Sequence, residues 1–345
     1  HTMRRQAEQL SVAAQGLKFT SFAVGGGTPL ILDEGQLEEL FCLAELFGVH
    51  PSRVFTSVET SPEYTQKSVL RQLRARGVER LSMGVQSFNE TELKKLKRRP
   101  GLGTVVGALE NIVEAGFPQF NLDLIYGIEG QTVESFMRSL NTALTYRPNE
   151  LFIYPLYVRP GTRIDVRSTD DIGYAIYKSA RELLVGQGFV QTSMRRFVRR
   201  ETTETEFSCG DEVMLSCGAG GRSYLGNLHY ATPYAVRQQA IADEIDHYIR
   251  TTDFMTAANG FLLSTEEMQI RFIIKNLMYH RGVDLAEYEK RFGEKPDRNL
   301  FREFTDRGWI EETGRIVRLT EEGMAYSDYI GQAFISPVVR KLMSE

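Results

Sequence analysis

Phe22-Ala23-Val24-Gly25-Gly26-Gly27-Thr28-Pro29 closes a short apolar run with three consecutive glycines, and the fold is read outward from there. Phe19 to Val24 has the length and composition of a strand, so the glycines stand at a strand's C-terminal end. Three residues without Cβ atoms expose bare N–H and C=O groups and admit positive φ, an arrangement suited to main chain that holds a small polar ligand. Thr28 adds a hydroxyl and Pro29 stiffens the exit. Taken alone, the stretch reads equally as a glycine-rich strand-to-helix turn. Its meaning rests on what repeats downstream.

From Lys18 to about Arg163, short apolar runs alternate with segments of helical periodicity. Strands are expected at Val54 to Glu59, Arg80 to Gln86, Phe120 to Tyr126 and Leu151 to Leu156. Helices are expected at Glu34 to Phe47, Thr65 to Arg76, Asn89 to Lys97, Gly103 to Ala115 and Thr132 to Tyr146. Asn89 is a candidate N-cap and Gly116 a candidate C-cap. The repeated βα unit predicts an α/β fold with a parallel sheet, whose chemistry sits at the C-terminal ends of the strands.

Those ends form a consistent series. The first carries the glycine triplet and Thr28, the second Glu59, the third Gln86 in Gly84-Val85-Gln86-Ser87-Phe88. The fourth, Asn121-Leu122-Asp123-Leu124-Ile125-Tyr126-Gly127, places Asp123 inside an apolar strand, which is costly unless the carboxylate faces a ligand or partner. Tyr154, Leu156 and Tyr157 end the fifth as an apolar wall. Two carboxylates, an amide and aromatic faces around bared backbone suit a zwitterionic ligand bearing a ribose and a purine, and Arg98 is placed to pair with its carboxylate.

Beyond Arg163 the pattern changes. Tyr174 to Gly186 is helical, Phe189 to Arg199 reads as one strand of mixed polarity, and Cys217 to Tyr230 is rich in glycine and aromatics, as a cofactor- or substrate-facing loop would be. Thr265 to Phe334 gives three helices and a hairpin, a winged-helix outline. The expected division is 1–165, 166–260 and 261–345. The candidate recognition helix, Asp297 to Arg307, is of mixed charge, and the formal net charge of the 345 residues is −4, so nucleic acid is not an expected partner. No apolar run approaches the roughly 18 to 20 residues of a membrane span and no signal-peptide core is visible, which predicts a cytoplasmic protein. Cys42, Cys209 and Cys217 are too few and too scattered for a disulfide framework or a metal motif.

Gly25-Gly26-Gly27-Thr28-Pro29, Glu59, Gly84-Val85-Gln86-Ser87-Phe88, Asn121-Leu122-Asp123-Leu124-Ile125-Tyr126-Gly127 and Gln131-Thr132, in this order, resemble the radical S-adenosylmethionine enzymes of the oxygen-independent coproporphyrinogen III oxidase (HemN-like) type. The resemblance implies an open, partial (β/α)6 barrel of the TIM type with a C-terminal α+β extension and a winged-helix-like domain. It implies that Gly25, Gly26, Gly27 and Thr28 bind the methionyl amino group of S-adenosylmethionine, that Glu59, Gln86 and Asp123 surround its polar groups and that Arg98 holds its carboxylate. Ile125, Tyr154 and Leu156 would line the adenine region. Its activity implies one-electron cleavage of S-adenosylmethionine to a 5′-deoxyadenosyl radical that takes hydrogen from a small-molecule substrate, with a flavodoxin- or ferredoxin-type electron donor.

The family holds a 4Fe–4S cluster on a CxxxCxxC loop, and this sequence has no such motif. The expectation is that cysteines upstream of His1 supply it, and that these 345 residues alone would be inactive. Three continuations follow. Class C methyl or methylene transfer, with a second S-adenosylmethionine and an aromatic or polyketide-like substrate, is placed first. It rests on the family's second glycine-rich loop at Ser216 to Tyr224, with Gly218, Gly220, Arg222 and Arg195 facing substrate or second cofactor and Cys217 or Tyr224 as candidate catalytic groups. Coproporphyrinogen III oxidation is second, and Met194-Arg195-Arg196-Phe197, Arg199 and Arg222 could pair its propionates. A non-catalytic S-adenosylmethionine- or heme-binding protein is third. The heme chaperones' His-Asn-x-x-Tyr-Trp motif has no true counterpart, since Asn227-Leu228-His229-Tyr230 differs in order and lacks the tryptophan.

Overall fold

The computed structural model describes residues 1–157, 170–199, 213–232, 235 and 237–342. Helix α1 (Thr2–Ala13) leads into β1 (Ser21–Val24), α2 (Glu34–Glu45), β2 (Phe55–Thr60), α3 (Lys67–Ala75), β3 (Arg80–Gln86), α4 (Glu90–Lys95) and α5 (Leu102–Ala115). Next come β4 (Gln119–Tyr126), α6 (Val133–Thr145), β5 (Glu150–Pro155), α7 (Asp170–Gly186), β6 (Phe189–Gln191) and β7 (Arg196–Arg199). The caps are local and legible. Asp33 and Gln36 close a capping box on α2, Asn89 accepts from the Thr91 and Glu92 amides, and Gly116 takes the left-handed conformation that ends α5.

Strands β1 to β5 pair in chain order, all parallel, within one seven-stranded sheet ordered β1-β2-β3-β4-β5-β7-β6. This is the α/β parallel sheet expected from the repeated βα units, in the open, partial barrel that the family resemblance implies. Its far edge is built differently: Phe189 to Arg199 is not one strand but the hairpin β6–β7, and β7 runs antiparallel to β5. Thr192 N–H donates to the Arg196 carbonyl at 2.9 Å and Arg196 N–H to Ser193 Oγ at 3.3 Å, closing a turn that carries neither glycine nor proline. The sheet thus runs past residue 165.

Alternation along the strands separates two environments. Leu81, Met83, Val85, Leu122, Leu124, Leu151 and Ile153 face the helices and form the core with Phe41, Leu70, Leu73, Leu109 and Phe136. Burying each such side chain contributes about 1.5–3 kcal/mol. The other face carries Ser57, Glu59, Arg80, Ser82, Gly84, Asn121, Asp123, Glu150 and Tyr154, so the barrel lumen is polar.

After the barrel, β8 (Val213–Met214), β9 (Arg222–Leu225), β10 (Leu228–Ala231), α8 (Gln238–Arg250) and β11 (Gly260–Leu262) form a second unit around an antiparallel sheet ordered β11-β10-β9-β8. The C-terminal unit comprises α9 (Thr265–Leu277), β12 (Val283–Asp284), α10 (Leu285–Phe292), α11 (Asn299–Asp306), β13 (Ile310–Thr313), β14 (Ile316–Leu319), α12 (Glu321–Ala325), α13 (Ser327–Phe334) and α14 (Pro337–Leu342). Three helices and the sheet β12-β14-β13 give the winged-helix arrangement. Around α11, Arg298 pairs with Glu312 and Arg307 with Glu303. Among the described residues no helix is long and apolar enough to cross a membrane.

Candidate active site

The C-terminal ends of β1 to β4 bring the glycine triplet, Glu59, Gln86 and Asp123 to one end of the lumen. Gly26 N–H donates to Glu59 Oε2 at 3.1 Å, and a Cβ on Gly25 would sit 2.9 Å from Glu59 Cδ. Backbone and carboxylate therefore touch only because no side chain intervenes. Gly26 and Gly27 hold φ of 87° and 65°, which L side chains rarely adopt.

Gln86 ends β3 with φ 73°, a left-handed conformation that costs a non-glycine residue roughly 1–2 kcal/mol. The register slips between Gly84 and Gln86, and the Gln86 amide folds back over Gly84, where a Cβ would meet Nε2 at 2.5 Å. Strain of this kind accumulates at binding sites, where surrounding structure enforces it. Gln86 is thereby turned toward Asp123, which pairs with Gly84 across the sheet.

Asp123 receives Asn121 Nδ2 at 2.7 Å, and the same amide donates to Ser82 Oγ at 2.7 Å. Burial pushes the Asp123 carboxyl up to about 7, against the opposing pull of Asn121 and Arg80, with Glu59 and Glu150 raising it further. Below the site lies a charge cluster in which Glu150 and Arg80 had not been expected, and it holds Arg196, which is buried against Glu150 rather than open to a substrate propionate. Glu150 accepts from Arg80 Nε at 2.7 Å and from Arg196 Nε, while Arg80 Nη1 donates to Ser57 Oγ at 2.9 Å. The signal was present in charged residues at lumen-facing positions of otherwise apolar strands.

The folded protein holds Asp123 protonated where the unfolded chain releases the proton, so the native state is favoured most below about pH 4, and that advantage disappears as pH rises to about 7. Asp123→Asn removes this dependence. Its stability relative to the wild type should grow between about pH 4 and about pH 7, read from urea midpoints of both proteins. Parallel curves would contradict the assignment.

Ile125 packs on the small cluster of Leu96, Ile128 and Leu156, and Tyr154 stacks on Phe152 at 5.5 Å between centroids. Burial, with the nearby Asp123 carboxyl, drives the Tyr154 phenol well above its ordinary range, so it stays neutral. Arg98 lies exposed between α4 and α5, past the helix rather than directly after β3. Thr28 begins the short 3₁₀ turn Pro29–Ile31.

The residues expected around a second cofactor or substrate are spread more widely. Gly218 N–H donates to Gln6 Oε1 at 2.8 Å, an atom that also accepts from Tyr248, so the loop holding Gly218 and Gly220 is docked on α1. Cys217 is raised by burial to about 11 and is a neutral thiol at neutral pH. The Tyr224 ring lies against His229 at 4.6 Å and under the Arg271 guanidinium at 4.7 Å. Arg222 is exposed on β9. Arg195 pairs with Asp328 of α13 and with Tyr157, rather than standing free for a substrate carboxylate. Cys209 lies outside the described residues.

Residues 2–143 match the radical SAM superfamily and residues 263–326 match the HemN C-terminal domain. The chain is a HemN-like radical S-adenosylmethionine protein. Its fold superposes on that of Escherichia coli coproporphyrinogen III oxidase HemN with a TM-score of 0.80, covering 96% of this chain and 81% of that one at 22% identity. The HemN-like chain is 27% identical over 334 residues to the heme chaperone HemW of Bacillus subtilis, covering 90% of this chain and 84% of the chaperone. It is 35% identical over 292 residues to the oxygen-independent coproporphyrinogen III oxidase of Salmonella typhimurium, covering 78% of this chain and 62% of that oxidase.

Radical SAM proteins use S-adenosylmethionine with a 4Fe–4S cluster. The strand-end cradle fits the first: a Cβ on Gly25 would displace the Glu59 carboxylate from the bared backbone, and Asn121 Oδ1 beside Asp123 is buried without a partner among the described residues. The described residues do not fit the second, because no group of three His, Cys, Asp or Glu among them could hold a metal.

Proposed function

We propose that this chain binds S-adenosylmethionine across the ends of β1 to β5 and orients it for C–H activation on a small molecule. In this reading Gly25, Gly26, Gly27 and Thr28 meet the methionyl amino group, and Glu59, Gln86 and Asp123 take the remaining polar groups. Arg98 holds the carboxylate, while Ile125, Tyr154 and Leu156 border the adenine. One observation carries it: the direct contact of Gly26 N–H with the Glu59 carboxylate at a strand end where a Cβ on Gly25 would push that carboxylate away. S-adenosylmethionine held there would supply a sulfonium open to one-electron cleavage, with the electron coming from a donor of the flavodoxin or ferredoxin type, while the residues of this chain bind and orient it.

For the substrate we adopt the tetrapyrrole class. The relatives named above are a heme chaperone and coproporphyrinogen III oxidases, which supports a porphyrinogen or heme as the ligand. Class C methyl or methylene transfer, placed first from the sequence, finds no support in them. Residues 1–165 would hold the cofactor, 166–260 would complete the site and 261–345 would form the winged-helix-like part.

Equilibrium dialysis against labelled S-adenosylmethionine tests the cofactor reading on this chain as it stands. Saturable binding is expected, and Glu59→Ala should weaken it about tenfold, the worth of a charge-assisted hydrogen bond. No saturable binding would sink the reading. Titration with coproporphyrin and with hemin, followed by the Soret band, tests the substrate class. Failure of both tetrapyrroles to bind would remove the tetrapyrrole reading.

A further inference from the structure

The C-terminal domain reaches the barrel at one point that borders the site. The β6–β7 turn is gripped from that side, with Ser193 bridged to Tyr279 and His280 N–H donating to the Thr192 carbonyl at 2.9 Å. Arg195 sits on this turn. Its guanidinium lies 6.0 Å from the centroid of Tyr154 and 5.3 Å from that of Tyr157, and its Nη2 donates to the Tyr157 hydroxyl and to Asp328 Oδ1. Tyr157 in turn donates to Asp328 Oδ2. Asp328 thus ties both the cation and the phenol together from α13.

Arg195 Nε is buried without a partner among the described residues, where one edge of the guanidinium sets its rotation. The remaining contacts are ring faces, which attract a cation without fixing its angle. Tyr154 pairs with Ile125 across β4 and β5, placing the far side of this assembly on the strand-end wall.

We infer that Asp328 is a positioning residue of the active site, which orients Arg195 over Tyr154 and so fixes the aromatic wall from the C-terminal domain. The inference rests on the proposal that this wall borders the adenosine of S-adenosylmethionine. It also reassigns Arg195, which acts on Tyr154 and not on a substrate carboxylate. A half-exposed ion pair adds little to folding, so the role shows in ligand geometry more than in stability.

A second salt bridge across the same junction, Arg181 to Glu321, stays away from Tyr154 and provides the control. Affinities for S-adenosylmethionine and for 5′-deoxyadenosine are compared in wild type, Asp328→Asn and Glu321→Gln, with amide hydrogen exchange over residues 152–157. Asp328→Asn should weaken both ligands about 5- to 10-fold, as the loss of one oriented cation–π contact predicts, and speed exchange at the end of β5. Asp328→Glu, which keeps the carboxylate, should recover both, and Glu321→Gln should match wild type. Unchanged exchange or unchanged affinity in Asp328→Asn overturns the inference, as does an equal loss in Glu321→Gln. Wild type that binds neither ligand overturns the cofactor reading instead, while exchange still reports whether Asp328 orders Tyr154.

Discussion

Glu150→Ala is expected to lower the unfolding free energy by about 3–5 kcal/mol, the loss typical when one partner of a buried ion pair is removed. Glu150 is 2% exposed and stands between Arg80 and Arg196 in the lumen. Without it, two guanidinium groups remain in a water-poor interior with no carboxylate between them. Ser57 Oγ, which already accepts from Arg80, cannot neutralise either. A urea unfolding series measures the change, and a midpoint equal to wild type would mean that water reaches both arginines. The same substitution should move Asp123. Glu150 raises that carboxyl and Arg80 lowers it, so the freed Arg80 draws the Asp123 titration below about 7, visible in the carbonyl carbon shift of Asp123 as pH is varied.

Gly25→Ala should cost about 10- to 100-fold in S-adenosylmethionine affinity, equivalent to losing one or two hydrogen bonds to a charged group. The added Cβ would lie 2.9 Å from Glu59 Cδ and 3.0 Å from each carboxylate oxygen. Glu59 must withdraw, and its bond from Gly26 N–H goes with it. The comparison is Gly107→Ala in α5, where a Cβ meets nothing within 4 Å. There the methyl should stabilise the helix by about 0.5–1 kcal/mol and leave ligand affinity unchanged. Equal affinity in Gly25→Ala and wild type, measured by dialysis, would remove the glycine cradle from the binding site.

Much of this was legible along the chain. The expected strands at Arg80 to Gln86 and Phe120 to Tyr126 lie within one residue of β3 and β4, and Asn89 caps α4 as its position suggests. These features depend on neighbours a few residues away, through side-chain period and the hydrogen-bonding needs of helix ends. The polar residue at each strand end was equally visible, because a parallel sheet aligns its C-terminal edges whatever its loops do.

Other features had no local signature. Phe189 to Arg199 read as one strand because the turn at Ser193 lacks glycine and proline. What bends it is the pairing of β7 to β5 and the grip of Tyr279 and His280, residues far along the chain. Arg195 read as a substrate cation because its partner Asp328 lies 133 residues away.

The chain by itself determined the order of elements, the parallel core and the ring of strand-end residues, since periodicity, caps and apolar runs are short-range properties. Only the tertiary structure decided that Glu150 joins Arg80 to Arg196, that the Asp123 carboxyl is pushed up to about 7, and that Asp328 of the C-terminal domain meets Arg195, whose guanidinium lies near the Tyr154 ring. Ion pairing and desolvation depend on which groups packing brings within a few ångströms, and that distance is set by the closed fold rather than by separation in sequence.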